Sequence, residues 1–336
     1  MTLRTDILNF SRQDQIGPLS PWFSESLDWL ISKGTFVSVD KVAEIGAGLV
    51  QKLNNYGNQT RRTTVVLGMS GGVDSALTAA LFKSAGFRVL GYTLPIHQNP
   101  AETERGIEAC KALGIEHTNI DLSDLYDATL AFESKFDPAL MDDTKEAKIR
   151  RGNIRARLRM VTLYNQAALN HGFVASTDNF SELAAGFWTL HGDVGDVSPI
   201  QALYKSWEVP MLAKLVGVPE ATYRATPTDG LGIDAGDEAQ LGASYLEWDI
   251  MFTRIAYTVS LGVTTLEGVE KALRLEDDER AKLVFKNVTY RAGLTWFKRM
   301  NPICLPVDLD AAQTSRYELL ANVDKALFRP DVARTW

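Results

Sequence analysis

The segment Thr64 to Phe82, Thr-Val-Val-Leu-Gly-Met-Ser-Gly-Gly-Val-Asp-Ser-Ala-Leu-Thr-Ala-Ala-Leu-Phe, leaves this chain few folds to choose from. Thr64 to Met69 is short, apolar and β-branched, and Ala76 to Phe82 consists of strong helix formers. The stretch therefore predicts a buried strand, a tight loop and a helix. Adjacent glycines, Gly71 and Gly72, let the backbone approach a ligand closely. The loop N–H groups converge at a helix N-terminus, where the dipole favours negative charge, so Ser70 to Ser75 is a candidate phosphate site. Ser70 and Ser75 add hydroxyl donors. Asp74 is out of place beside an anion unless it holds a metal that itself binds the anion. Taken alone, a Gly-Gly pair also makes an ordinary strand-to-helix turn with Asp74 or Ser75 as its N-cap.

Downstream, Arg88–Pro95 reads as a second strand, Ala101–Leu113 as a helix stopped by Gly114, and Ile115–Leu122 as a third strand. Strands alternating with helices at this spacing predict a parallel sheet whose ligands lie beyond the carboxyl ends of the strands, where Ser70 to Ser75 also lies. Phe173–Thr177 reads as a fourth strand. Upstream, Pro21–Ile31 and Val39–Leu53 carry apolar stripes suited to core or a subunit interface, and polar Asn54–Arg62 reads as a linker. Asp124–Leu140 is expected to be helical, followed by a Gly152-Asn153 turn that opens a helix through Leu169. Arg155 and Arg159 share one face of that helix and Arg157 points elsewhere, which suits a helix with one end in an anion site.

Glu182, Asp193 and Asp196 stand beyond the fourth strand, on the side of the phosphate loop; in isolation they read as cap and turn residues. Lys205 precedes another helix. Ala225–Ile233, rich in Gly, Pro and Thr, is a candidate lid. Helices are expected at Ala239–Thr258 and Thr265–Leu273, a polar segment at Asn287–Arg291, and a final helix after Pro306.

The chain has 336 residues, 45% of them hydrophobic, enough for one large or two small domains. Its formal charge of −7 argues against bulk electrostatic binding of nucleic acid. Cys110 and Cys304 are the only cysteines, and neither belongs to a CxxC or a His/Cys cluster, so a reducing cytosol is expected and a disulfide scaffold or structural zinc is not. Without a signal pattern or a membrane-length apolar run, the expectation is a soluble cytoplasmic protein with no membrane or nucleic-acid partner.

The loop lacks the Lys that a Walker pattern places after its last glycine. It resembles instead the Ser-Gly-Gly-x-Asp-Ser signature of the N-type ATP pyrophosphatases. Further motifs follow in order: Gly-Asn-Ile-Arg-Ala-Arg-Leu-Arg-Met from Gly152, Ser-Thr-Asp-Asn-Phe-Ser-Glu ending at Glu182, the Asp193 to Asp196 loop, and Lys205. Together they make residues 64–302 similar to NAD synthetases. The resemblance implies an α/β fold, a doubly wound parallel sheet with helices on both faces of the adenine nucleotide α-hydrolase type. It implies residues 63–302 as the catalytic domain, with 1–62 a helical N-terminal extension and 303–336 a C-terminal tail. It also implies two chemical steps: the nicotinate carboxylate of deamido-NAD attacks the α-phosphate of ATP, releasing pyrophosphate, and ammonia then displaces AMP.

By the same resemblance, Gly68, Ser70, Gly71, Gly72, Val73, Asp74 and Ser75 cradle ATP, with Thr177, Lys205 and Thr228 as further ATP contacts. Asp74 and Glu182 hold Mg2+, whose oxygen preference suits carboxylates. Asn153, Arg157, Asp193, Asp196 and Lys298 contact the dinucleotide. Asp74, Asp193 and Lys205 are the catalytic candidates, Asp193 collecting ammonium and taking its proton. A glutamine-using relative would carry an extra amidase domain, and sixty residues ahead of the first strand cannot hold one, so free ammonia is the expected donor. Members of the family are homodimers. Leu190 stands where the family usually has Lys, Phe297 where many members have His, and the Asp193 loop is one residue short. Nicotinate mononucleotide is the rival substrate, and a non-catalytic nucleotide-binding regulator the rival from a different class. A tRNA-modifying relative would need paired cysteines or a basic face, and the sequence has neither.

Overall fold

The computed structural model describes residues 2–228 and 236–300. Helices α1 (Leu3–Phe10), α2 (Gln13–Ile16), α3 (Pro21–Ser32) and α4 (Val39–Thr60) precede strand β1 (Thr64–Gly68), helix α5 (Val73–Ser84), strand β2 (Arg88–Thr93), helix α6 (Pro100–Leu113) and strand β3 (Glu116–Asn119). Helices α7 (Ser123–Glu133) and α8 (Lys145–Leu169) lead to the short strand β4 (Phe173–Val174). The four strands are parallel in the order β3-β2-β1-β4, with Val65 opposite both Val89 and Phe173, and Ala175 bridges to Val197 at the open edge.

Alternation along β1 divides the core between the two faces of the sheet. Val65 and Leu67 belong to a large cluster with Leu77, Phe82, Leu212 and Leu246, while Val66 joins Leu90, Tyr126, Met160, Leu163 and Val174. Helices therefore cover both faces, as expected of a doubly wound sheet. Ile7, Phe23, Leu27 and Phe36 from the first sixty residues lie in the same large cluster as the sheet.

Past the sheet come α9 (Phe180–Ala185), α10 (Glu208–Leu215), α11 (Glu220–Tyr223), α12 (Asp237–Leu241), α13 (Tyr245–Ser260), α14 (Leu266–Leu273) and α15 (Glu279–Thr295). Among the described residues no helix is long and apolar enough to cross a membrane.

The structure corrects several expectations. The linker at Asn54–Arg62 is mostly the last two turns of α4, because Asn54 Nδ2 donates to the Ala85 carbonyl at 3.1 Å and Tyr56 packs edge-on to Phe173. Gly57 lies so close to Phe87 that a Cβ there would come within 2.7 Å of its ring. Gly152 and Asn153 are not a turn. They sit inside α8, which starts seven residues earlier under a Thr144 cap, so the three arginines occupy mid-helix rather than an end. Pro138 confines the Asp124–Leu140 helix to α7 and a separate 3₁₀ turn, Pro138–Met141. Gly242, left-handed at φ 67°, separates α12 from α13, and Asn287–Arg291 lies inside α15. The middle of the Ala225–Ile233 loop, Cys304 and the tail 303–336 with its expected helix lie outside the described residues.

Candidate active site

The loop after β1 turns through Gly71 at φ +85°, where a Cβ would lie 2.2 Å from the Glu102 carbonyl oxygen of α6. Only glycine fits both the torsion and the space. Gly72 is the N-cap of α5, and no side chain caps that helix, so the first-turn N–H groups are left for an anion. Ser75 is buried and turned inward, its hydroxyl donating to the Gly72 carbonyl at 3.1 Å and lying 3.2 Å from Ser70 Oγ. It braces the loop from behind.

Asp74, on the first turn of α5, meets two other segments. Asn179 caps α9 through its Oδ1, which accepts from the Glu182 N–H at 3.0 Å, and its Nδ2 donates to Asp74 Oδ1 at 3.0 Å. Glu182 closes the capping box with one carboxylate oxygen, accepting from the Asn179 N–H at 3.2 Å. Its other oxygen faces Lys205 Nζ at 3.9 Å, and the same ammonium donates to Asp74 Oδ2. Glu182 thus both caps a helix and faces the site. Burial would lower the Lys205 pKa, but Asp74 and Glu182 outweigh it and hold the ammonium above its ordinary range. Glu182 itself is pushed well upward, first by burial and then by Asp74. Asp237, buried and accepting from Tyr245 OH at 3.2 Å, adds a further negative charge nearby.

Asp74, Glu182 and Asp237 crowd the Lys205 ammonium while Arg291 faces Asp237, and the upward push on Glu182 reflects a repulsion that a hard divalent cation on these carboxylate oxygens would relieve. Among the described residues no group of three or more His, Cys, Asp or Glu forms a ready metal site. A cation here would take Asp74 and Glu182 from the protein and the rest of its shell from water or phosphate oxygens.

These groups open onto a cleft of ≈ 470 Å³. Of the residues expected from sequence, Gly68, Ser70, Gly72, Val73, Asp74, Asn153, Thr177, Glu182, Asp193, Lys205, Thr228 and Lys298 line it. Asp193 accepts from the Thr189 N–H at 2.5 Å, and Thr189 Oγ1 donates to Asn153 Oδ1 at 2.7 Å. Desolvation by the cleft wall raises the Asp193 carboxyl above its ordinary range, and the Thr189 N–H, Arg159 and Lys298 pull it back. Lys298 donates to the Gly186 carbonyl at 2.8 Å and to that of Trp188; burial, then Arg291, pushes it down to about 8.

Gly71 and Ser75 shape the loop without lining the cleft, and two other expected residues stand apart from it. Arg157 is exposed, donating from Nε to the Leu190 carbonyl at 3.3 Å. Both oxygens of Asp196 are occupied, accepting from Tyr164 OH and from the Val174 N–H at 2.9 Å each, so it ties the edge of the sheet to α8. Arg159 enters the cleft wall instead, donating to Leu94 O at 3.0 Å and to Gln98 Oε1 at 2.8 Å. Its face of α8 was visible in the sequence spacing. Asp237 gave no such signal, because only the tertiary fold brings α12 over Lys205. Asp178, buried and accepting from Ser198 Oγ at 3.2 Å and from Ser176 and Gln201, also lines the cleft.

The match to the family described as NAD synthase covers residues 45–291. The NH(3)-dependent NAD(+) synthetase of Methanosarcina acetivorans is 32% identical over 259 residues, 76% of this chain and 94% of that protein. The Finegoldia magna NH(3)-dependent NAD(+) synthetase is 37% identical over 55% of this chain and 73% of its own length. Among solved structures, the NMN synthetase from Francisella tularensis superposes with a TM-score of 0.64 at 26% identity, over 80% of this chain and 99% of that one. The NH3-dependent NAD synthetase from Campylobacter jejuni gives 0.58 at 26% identity, over 79% and 99%.

Proposed function

The chain belongs to the NAD synthase family, and from that premise we propose that it is a ligase that amidates deamido-NAD to NAD with ammonia, consuming ATP and releasing AMP and pyrophosphate. The observation that carries the mechanism is the Lys205 ammonium held between Asp74 and Glu182 beside an uncapped glycine loop. In the first step a carboxylate attacks the α-phosphate of a polyanion, so charge must be met where it builds up. The α5 N-terminus and Lys205 meet it at the leaving pyrophosphate, and Lys205 stays cationic because its pKa is raised. Mg2+, held by Asp74 and Glu182, would screen the phosphates and strengthen pyrophosphate as a leaving group. In the second step ammonia attacks the acyl adenylate and AMP departs. Ammonium must first lose a proton, and Asp193, its carboxyl raised above its ordinary range, is the proposed acceptor.

Arg157 and Asp196, expected from the resemblance as dinucleotide contacts, stand outside the cleft of the single chain, and a second copy packed on this side of α8 would place Arg157 at a subunit boundary. Val161 and Tyr164 follow Arg157 at helical spacing on the exposed side of α8, and Tyr164 holds Asp196. Phe132 of α7, Phe136 in the link after it, Met141 of the 3₁₀ turn and Leu169 of α8 are also exposed. We propose a homodimer that covers this apolar face, with residues 63–302 as the catalytic unit. Buried Cys110, its thiol pushed up to about 11 by burial, is structural and inert, which suits a reducing cytosol.

A second reading, amidation of nicotinate mononucleotide, is favoured by the likeness to the Francisella tularensis NMN synthetase and by Leu190 in place of the family's usual Lys. The test is pyrophosphate release with Mg-ATP and ammonium, deamido-NAD being compared with nicotinate mononucleotide. Faster turnover of deamido-NAD is expected. A preference for the mononucleotide would replace the main reading, and tight ATP binding without any turnover would favour a regulator.

A further inference from the structure

Two segments of the cleft wall converge on the N-terminal helices. Pro227, Thr228 and Asp237 line the cleft, and the Asp237 N–H donates to the Pro227 carbonyl at 3.3 Å, joining the two segments. One residue past Asp237, Glu238 pairs with Arg12 Nη2 at 3.0 Å, and this pair is largely buried. Four residues before Thr228, Arg224 pairs with Asp14 at 3.1 Å and donates to the Asn9 carbonyl at 3.5 Å. Phe10 stacks on Tyr223 and meets Trp207 edge-on, both with centroids at 5.9 Å, and Trp207 stands two residues after Lys205. Arg12 also adopts a left-handed backbone at φ 60°, a conformation that an L-residue keeps only when its surroundings impose it. All of these anchors, Asn9 to Asp14, precede residue 45, where the family match begins.

We propose that Arg12 is a positioning residue for the nucleotide end of the cleft, fixing through Glu238 where Asp237 stands and, through the Asp237–Pro227 hydrogen bond, the adjoining Thr228 segment, which Asp14 and Asn9 hold separately through Arg224. The proposal rests on reading the cleft as the ATP site. Substituting Arg12 loosens the Asp237 segment directly and the Thr228 segment only through the Asp237–Pro227 hydrogen bond, without touching the dinucleotide end. The buried Arg12–Glu238 pair carries most of the effect; the Arg224–Asp14 pair, more open to water, contributes less.

The test is steady-state kinetics of the full chain for Arg12→Gln, Glu238→Gln and their double variant, with Arg224→Gln alongside. Each of the first two is expected to raise KM for ATP by about fivefold while KM for deamido-NAD stays within about twofold. The double variant should be no worse than the poorer single, since both remove one interaction. A purely structural role would lower Tm and the yield of folded enzyme and leave KM for ATP unmoved in what folds. Unchanged KM for ATP in every folded variant, equal rises in both KM values, or additive losses in the double variant would overturn the proposal. Should Arg12→Gln fail to fold, Glu238→Gln and Arg224→Gln decide by the same criterion. Failure of the wild-type chain to turn over ATP would instead strike the functional reading.

Discussion

Lys205 carries more of the site than any other side chain, because one ammonium answers carboxylates from two separate helices. Removing a partner from a buried ion pair usually leaves an uncompensated charge and costs about 3–5 kcal/mol. Here Asp74→Ala still leaves Lys205 facing Glu182, with Asp237 close by, so the cost to the fold is expected to be small. The expected outcome for Asp74→Ala is loss of pyrophosphate release with Tm nearly unchanged. Asp193→Ala, by contrast, should keep pyrophosphate release and lose amidation by about 10²-fold or more, since it removes only the proton acceptor. Both are measured by following pyrophosphate and NAD in parallel. Full NAD formation by Asp193→Ala would remove that residue from the second step.

At the scale of elements, the site is a meeting of helix starts. The α5 start has no side-chain cap, whereas the α9 start is capped by Asn179, which also holds Asp74. The start of α10 matters for stability. Glu208 is buried in its first turn and accepts from the Tyr204 N–H at 2.6 Å, and burial pushes its carboxyl up to about 8 from an ordinary 4.5. Below pH 4.5 the folded and unfolded chains both hold this proton; between 4.5 and about 8 only the folded chain does. Unfolding then releases a proton, so this group's contribution to stability falls as pH rises across that window and levels off above it. Glu208→Gln should flatten the decline of Tm with pH. Asp249, raised to about 7 chiefly by burial, keeps part of the slope in the variant. Parallel Tm profiles for wild type and variant would show that Glu208 does not titrate there.

For the whole molecule, the cleft stands at the carboxyl ends of parallel strands, and an exposed apolar stripe runs along α8 beside it. Arg157 lies on that stripe rather than in the cleft wall. Val161→Glu places a charge in the middle of the proposed subunit contact, where Val161 is 67% exposed in the single chain. Sedimentation should show a dimer for the wild type and a monomer for the variant, with KM for the dinucleotide raised in step. A fully active wild-type monomer would end the dimer proposal.

Local pattern sufficed where the physics is local. The β-branched run before Gly71-Gly72 and the helix formers after it were enough to locate β1 and α5, and the motif resemblance singled out the acidic pair Asp74 and Glu182, though the short helix α9 was not expected. The extent of α8 and α4 could not be read this way: polar Asn54 and small Gly57 and Gly152 signal breaks until neighbours such as Ala85 and Phe87 supply partners. Asp237, Arg12 and the pairing of both cleft-wall segments with the N-terminus depend on residues more than 200 positions apart. No periodicity within one segment encodes such contacts. They exist because burying the apolar faces of α1 and α3 in the same core as the sheet brings those charges together, and the packed fold alone decided that.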